Sequence, residues 1–138
     1  MIEGTFTVVG KTKYVTIRFH VTHWLKRLID VGKYPEGTLV VSYLRGADNS
    51  KDYIGFAFAA PNGKGGYRLQ IWKKIDEGKL AHQIWSAKYL LRLNAEGLLN
   101  ARYEYALRSG NCSRCGRKLT VPASIHRGMG PECASKVQ

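Results

Sequence analysis

An α+β fold is predicted by two observations on this 138-residue chain: the first 75 residues read mostly as strands, with period-two alternation at residues 14–21 and 67–72, and helical spacing takes over from residue 79 to about residue 110. A third observation separates the end of the chain from both, because all three cysteines lie in the last 27 residues. The expected architecture is a small antiparallel sheet, two following helices packed on one of its faces, and a C-terminal cysteine module. Residues 1–110 are read as a basic α+β domain and residues 111–138 as the module.

The strands come first. Thr5–Val9 turns through Gly10-Lys11 into Tyr14–Val21, where Val15, Ile17, Phe19 and Val21 alternate with Tyr14, Thr16, Arg18 and His20. Trp24–Ile29 supplies one or two helical turns, and the Pro35-Glu36-Gly37 turn leads into a third strand, Thr38–Leu44. Asp48–Lys51 separates this from Tyr53–Ala60, and the Gly63–Gly66 hairpin turn introduces a fifth strand with Tyr67, Leu69 and Ile71 on one face and Arg68, Gln70 and Trp72 on the other. The period then changes. Leu80, Ile84, Ala87 and Leu91 share one face of a helix over Lys79–Leu93, with Lys79, Gln83, Lys88 and Arg92 largely away from it. Asn94 caps a second helix through Leu98, Leu99, Tyr103 and Leu107, which stops at Ser109-Gly110.

In the module, Cys112 and Cys115 form a C-x-x-C turn followed by Gly116, and 17 residues separate Cys115 from Cys133. A C-x-x-C turn points two thiolates at one ion, and a following glycine permits the tight backbone of a zinc knuckle. His126 completes a C-x2-C-x10-H-x6-C pattern, so a structural Cys3His zinc site is expected, with His20, His23 and His82 as more distant alternatives for the fourth ligand. A redox pair fits less well, because such motifs open a helix after a strand in a βαβ unit and this one follows a helix. A disulfide leaves an odd thiol. Gly128, Gly130 and Pro131 shape the backbone around the third cysteine.

The stretch Cys112-Ser-Arg-Cys-Gly-Arg-Lys-Leu-Thr-Val-Pro-Ala-Ser-Ile-His-Arg-Gly-Met-Gly-Pro-Glu-Cys133-Ala resembles the C-x-x-C-G-R-x-L-T-x-P-x-S-I-x-x-G-x-G-P-x-C-A signature of a phage-associated domain of unknown function. Gly46–Phe58, followed by Trp72, is similar to the region upstream of that signature in some of these proteins. The resemblance implies a phage or mobile-element origin and a small zinc module built on the three cysteines; it implies no activity.

Charge points to the partner. The chain carries 22 Lys and Arg against 10 Asp and Glu, a formal +12, spread as +3 over residues 1–60, +5 over 61–110 and +4 over 111–138. Polyphosphate backbones are the commonest large anions in a cell, so nucleic acid is the expected partner, held by mainly nonspecific backbone contacts. Arg114, Arg117, Lys118 and Arg127 surround the cysteines and are not required by folding. Arg68, Trp72, Lys73 and Lys74 interleave ring and cation as single-strand binders do. The competing class is a small phage effector that binds and inhibits an acidic host protein of the transcription or defence machinery. An enzyme is not expected: Asp48, Asp52, Asp76 and Glu77 lie near turns without a paired histidine, and the hydrolase, metalloprotease and deaminase motifs are missing. Without a long apolar run or a basic-then-apolar start, the chain reads as soluble and cytoplasmic in a bacterial host, with no membrane partner.

Overall fold

The computed structural model describes residues 2–136. Five strands, β1 (Gly4–Val9), β2 (Tyr14–His20), β3 (Leu39–Leu44), β4 (Tyr53–Pro61) and β5 (Tyr67–Ile71), form one antiparallel meander in chain order. Helix α1 (His23–Asp30) lies between β2 and β3, α2 (Ala81–Arg92) and α3 (Ala95–Ser109) follow the sheet, and α4 (Pro122–Arg127) and α5 (Pro131–Lys136) belong to the cysteine region.

The alternation of side chains divides the sheet into two unlike faces. On one face Phe6, Ile17 and Tyr43 align across β1 to β3, and Val41, Ala57 and Ile71 across β3 to β5. Ile84, Ala87 and Leu90 of α2 and Ala101 of α3 close this face into the main core. α3 also runs along β1, the strand at one edge of the sheet. The other face is partly covered by α1, whose Leu25 packs with Val40 and Phe58, joined by Ile29, Tyr34 and Trp72. The helices therefore do not all share one face: the two that follow the sheet behave as expected, and α1 takes the reverse side. α1 is also longer than the sequence suggested, because the Thr22 hydroxyl accepts the Leu25 N–H (3.2 Å) and starts the helix at His23.

The remainder of the second face is polar, and several of its groups satisfy one another. Thr7 and Thr16 share a buried hydroxyl–hydroxyl bond (2.8 Å), Arg18 Nε donates to the Thr5 hydroxyl (2.9 Å), and His20 Nε2 meets the Ser42 hydroxyl (3.0 Å). Burial, and then the Arg18 charge, push the His20 ring down to about 4. The Arg18 guanidinium also lies 3.6 Å from the Tyr53 ring centroid and donates to the carbonyls of Asn49 and Ser50.

Several carboxylates of the sequence analysis shape turns. Asp48 accepts the N–H of Ser50 and Lys51, Asp52 accepts that of Asp48, and Asp76 accepts those of Gly78 and Lys79. This last turn starts α2 at Ala81, two residues later than its hydrophobic spacing suggests. Among the described residues, no helix is long and apolar enough to cross a membrane.

Candidate metal centre and its basic rim

α3 stops where its sequence says it should. Asn94 accepts the Gly97 N–H (2.9 Å) at its start, and Gly110 adopts a left-handed φ of 74° at its end, with its N–H on the Ala106 carbonyl. The chain reverses at once through a small hairpin. Cys112 N–H bonds the Arg117 carbonyl (2.7 Å), Gly116 N–H returns to the Cys112 carbonyl (2.9 Å), and Leu119 N–H reaches the Gly110 carbonyl (2.8 Å). This is the knuckle the C-x-x-C-G spacing implies.

The third cysteine arrives on helical structure that the sequence analysis did not contain. Pro122 at the first turn and Gly128 (φ 80°) at the C-cap bracket α4, and Pro131 opens α5, which carries Cys133. The knuckle is tied to the end of α4 by Ser113 N–H on the Gly128 carbonyl (2.7 Å). Gly128 sits so close to α3 that a Cβ there would lie 2.7 Å from the Arg102 backbone. Cys112, Leu119, Met129 and Cys133 pack with Ala106 into a second small core.

The result is a convergence of sulfurs. The ligand atoms of Cys112, Cys115 and Cys133 all lie within 4.8 Å of one another, and none is in a disulfide. Cys112 and Cys133 are buried and Cys115 is exposed. Burial alone would raise the Cys112 thiol, but the N–H groups of Cys115, Gly130 and Arg114 aimed at its sulfur bring it down to about 7. Cys133 goes the other way, up to about 11, through burial and the neighbouring Cys115 and Cys112 sulfurs. Three soft donors clustered in this way can hold a metal ion.

His126 is not part of the cluster. It is exposed on α4, its ring set edge-on against Tyr103 with centroids 5.5 Å apart. His20 is bonded to Ser42, while His23 and His82 are exposed on α1 and α2. The Cys3His set is therefore corrected to three thiols among the described residues. With it goes the premise that a full set of protein ligands closes the site.

A seam of polar contacts joins the module to the sheet. Thr5 N–H donates to the Ser113 carbonyl (2.6 Å), and the Ser113 hydroxyl donates to the Thr5 carbonyl (2.6 Å). Arg102, buried on α3, donates to the Ser113 hydroxyl (2.8 Å) and the Glu3 carbonyl (3.1 Å) and lies over the Phe6 ring. Burial brings this guanidinium down to about 10, against the pull of Cys112. Gly4 is needed here, since a Cβ would approach Arg102 to 2.6 Å and the Ser113 carbonyl to 2.7 Å. Arg102 was missed in the sequence, where an arginine between Ala101 and Tyr103 looks like a solvated position.

The sequence-predicted cations part into two groups. Arg114, Arg117 and Lys118 line a groove of about 530 Å³ at the cysteines, joined by Lys136, with Glu132 as its acidic member. Arg117, Lys118 and Lys136 are exposed, whereas Arg114 is half-buried, its Nε lacking a hydrogen-bond partner. Arg127 is spent internally, donating to the Met129 carbonyl and the Ser124 hydroxyl. On the hairpin, Arg68, Lys73 and Lys74 are exposed. Trp72 is half-buried: it packs edge-on against Phe58 (5.4 Å) and Trp24 (6.1 Å), a Cβ on Gly55 would touch its ring at 2.8 Å, and Lys74 Nζ lies 5.4 Å from its ring centroid. The exposed pair that the sequence analysis passed over is Trp85 and Tyr89 on α2, whose i, i+4 spacing off the core face was the available signal.

No curated protein and no solved structure matches the chain. Residues 103–138, from within α3 through all three cysteines, match the model of a family of unknown function, DUF6011.

Proposed function

We propose that this is a phage-type, zinc-stabilised nucleic-acid-binding protein that holds phosphates through the cationic rim of its cysteine module. The carrying observation is the groove itself: four cations, Arg114, Arg117, Lys118 and Lys136, gather around the thiol cluster with Glu132 as the acidic member of the lining. Such a density of like charge repels itself, and a polyanion relieves the repulsion. The site is taken to act through charge rather than through base edges, so affinity is largely independent of sequence.

Zinc suits the donor set, because three cysteine thiolates are soft ligands and N–H groups aimed at Cys112 favour the charged sulfur. Cys112, Cys115 and Cys133 would hold the ion. When bound, the ion supplies a covalent-strength cross-link between the knuckle and α5. Arg117, Lys118 and Lys136 project into solvent beside it and meet phosphates.

The test is a salt titration with short single- and double-stranded oligonucleotides, starting at about 50 mM salt. Replacing Arg117, Lys118 and Lys136 by Gln should flatten the slope of log affinity against log salt by up to about 0.9 per lost duplex contact and about 0.7 per lost single-strand contact. An unaltered slope would move the phosphate contacts elsewhere. Absence of binding to any nucleic acid, with capture of an acidic protein by the same surface, would replace this reading with that of an effector.

A further inference from the structure

α2 contains no acidic residue, and His82, Trp85, Lys88, Tyr89 and Arg92 form one exposed stripe along it at i, i+3 and i+4 spacing. The opposite side of the helix carries Ile84, Ala87 and Leu90 into the main core. Within the stripe, the Trp85 and Tyr89 rings stack on each other with centroids 5.2 Å apart and planes only 8° from parallel. Nevertheless Trp85 is 57% exposed and Tyr89 37% exposed. The other two tryptophans, of which Trp24 is also exposed, instead pack edge-on against Phe58. Beside the stacked pair, a cavity of about 250 Å³ opens between α2, α3 and β1, with Val9, Leu93 and Asn100 in its wall. Its carboxylate, Glu104, is ion-paired with Arg108.

We propose that this face of α2 is a base-stacking platform for single-stranded nucleic acid, with Trp85 and Tyr89 receiving a base and Lys88 and Arg92 neutralising the adjoining phosphates. The inference rests on the nucleic-acid reading above but uses a different surface from the cysteine rim. Every base has a π-face, so two aligned rings accept bases without regard to sequence. The rings already hold each other in place, which lowers the side-chain ordering cost of binding. Lys88 and Arg92 select an anionic occupant. They also oppose a second copy of the chain, because an isologous contact would set the same uncompensated cations against each other. A duplex keeps its bases stacked and paired, so the platform favours single strands, whereas the rim does not distinguish them.

The experiment compares wild type, Trp85→Ala and Trp85→Phe for binding to an oligothymidylate and to a duplex of equal length, read by anisotropy and by tryptophan fluorescence. Trp85→Ala should weaken oligothymidylate binding about 5- to 150-fold and abolish most of the fluorescence quenching. Its duplex affinity should change less than about twofold, and Trp85→Phe should retain most single-strand binding because it keeps a ring. Equal oligothymidylate binding by wild type and Trp85→Ala would overturn the platform and leave the nucleic-acid reading standing. Failure of wild type to bind either oligonucleotide would overturn both. A wild-type dimer that Trp85→Ala converts to monomer in sedimentation would assign the face to self-association and overturn the proposal.

Discussion

The sheet and the cysteine module solve the problem of holding a shape by different means. The sheet buries Phe6, Ile17, Phe19, Val41 and Phe56 essentially completely and closes over them with α2 and α3. The module has Cys112, Leu119, Met129 and Cys133 as its buried apolar residues, two of which are the thiols themselves. Fixing each residue's backbone costs roughly 1–2 kcal/mol, while each buried large apolar side chain returns about 1.5–3 kcal/mol, so a hairpin and two six-residue helices around so small a core need a further constraint. A metal ion held by the three thiols would supply that constraint, and the Thr5–Ser113–Arg102 seam sets where the module sits. The contrast teaches that the cationic rim is only as well ordered as the thiol cluster beneath it.

The sharpest way to break this contrast is Cys115→Ser. Cys115 is exposed, so its loss sacrifices little packing, yet it removes one of three sulfurs. Metal content should fall from about one ion per chain to near zero, and limited proteolysis should then cut within residues 111–136 while leaving a sheet fragment intact. Retained stoichiometric metal would contradict the ligand assignment.

A reciprocal substitution strikes the sheet side. Trp72→Ala should lower global stability by about 2–4 kcal/mol in a denaturant titration, because the ring packs with Phe58, Trp24 and Val40 under α1. Metal content and the salt slope of binding should be unchanged. Single-strand affinity that falls in the folded variant would restore Trp72 to the binding surface.

Ser113→Ala tests the seam. It removes a hydroxyl that donates to the Thr5 carbonyl and accepts from Arg102, leaving buried groups short of a partner, and should cost about 1–3 kcal/mol. Amide exchange should quicken at Thr5 and Ser113 before it does in β3 and β4.

The smallest effect is that of pH on the polar face. The His20 ring titrates near 4 in the folded protein against 6.5 ordinarily, so its neutral form is favoured by folding. Its contribution is whole above pH 6.5 and is lost as pH falls from 6.5 towards 4, because the unfolded chain takes up the proton first. His20→Gln should reduce that part of the acid-side decline in stability, and nuclear magnetic resonance should place the ring's titration midpoint near 4.

The sheet was legible because period two is a strong signal where a strand has one apolar face, as in β2, and turn residues bound the other strands. Val15, Ile17 and Phe19 sit where their alternation puts them, and the boundaries moved by about a residue, as at Gly4 and His20. α3 was legible through its caps, Asn94 and Gly110. The module was legible in its cysteine cluster but not in how the chain presents it. His126 lies between the cysteines in sequence, yet α4 turns it outward while its neighbour Ser124 turns inward. Pro122 and Gly128 mark that helix, and the cysteine spacing overshadowed them. The packing of Trp72 was illegible for another reason: an aromatic beside lysines looks alike in sequence whether its ring lies under a helix or in water, and its contact with Phe58 depends on where α1 folds. Arg102 could not be found from spacing, because its role depends on Ser113 and Glu3, which come from distant parts of the chain.

The central claim, that packing holds the sheet while a metal ion holds the module and its rim, is tested most directly by hydrogen exchange on the same protein before and after chelation. Removing the metal should abolish protection at Cys112, Ser113, Gly116 and Leu119, whose N–H bonds build the knuckle and its ties, while Phe19, Val41 and Ala57 in the sheet keep theirs. Unchanged protection across residues 111–136 after complete metal loss, or loss of protection throughout the sheet as well, would contradict the account.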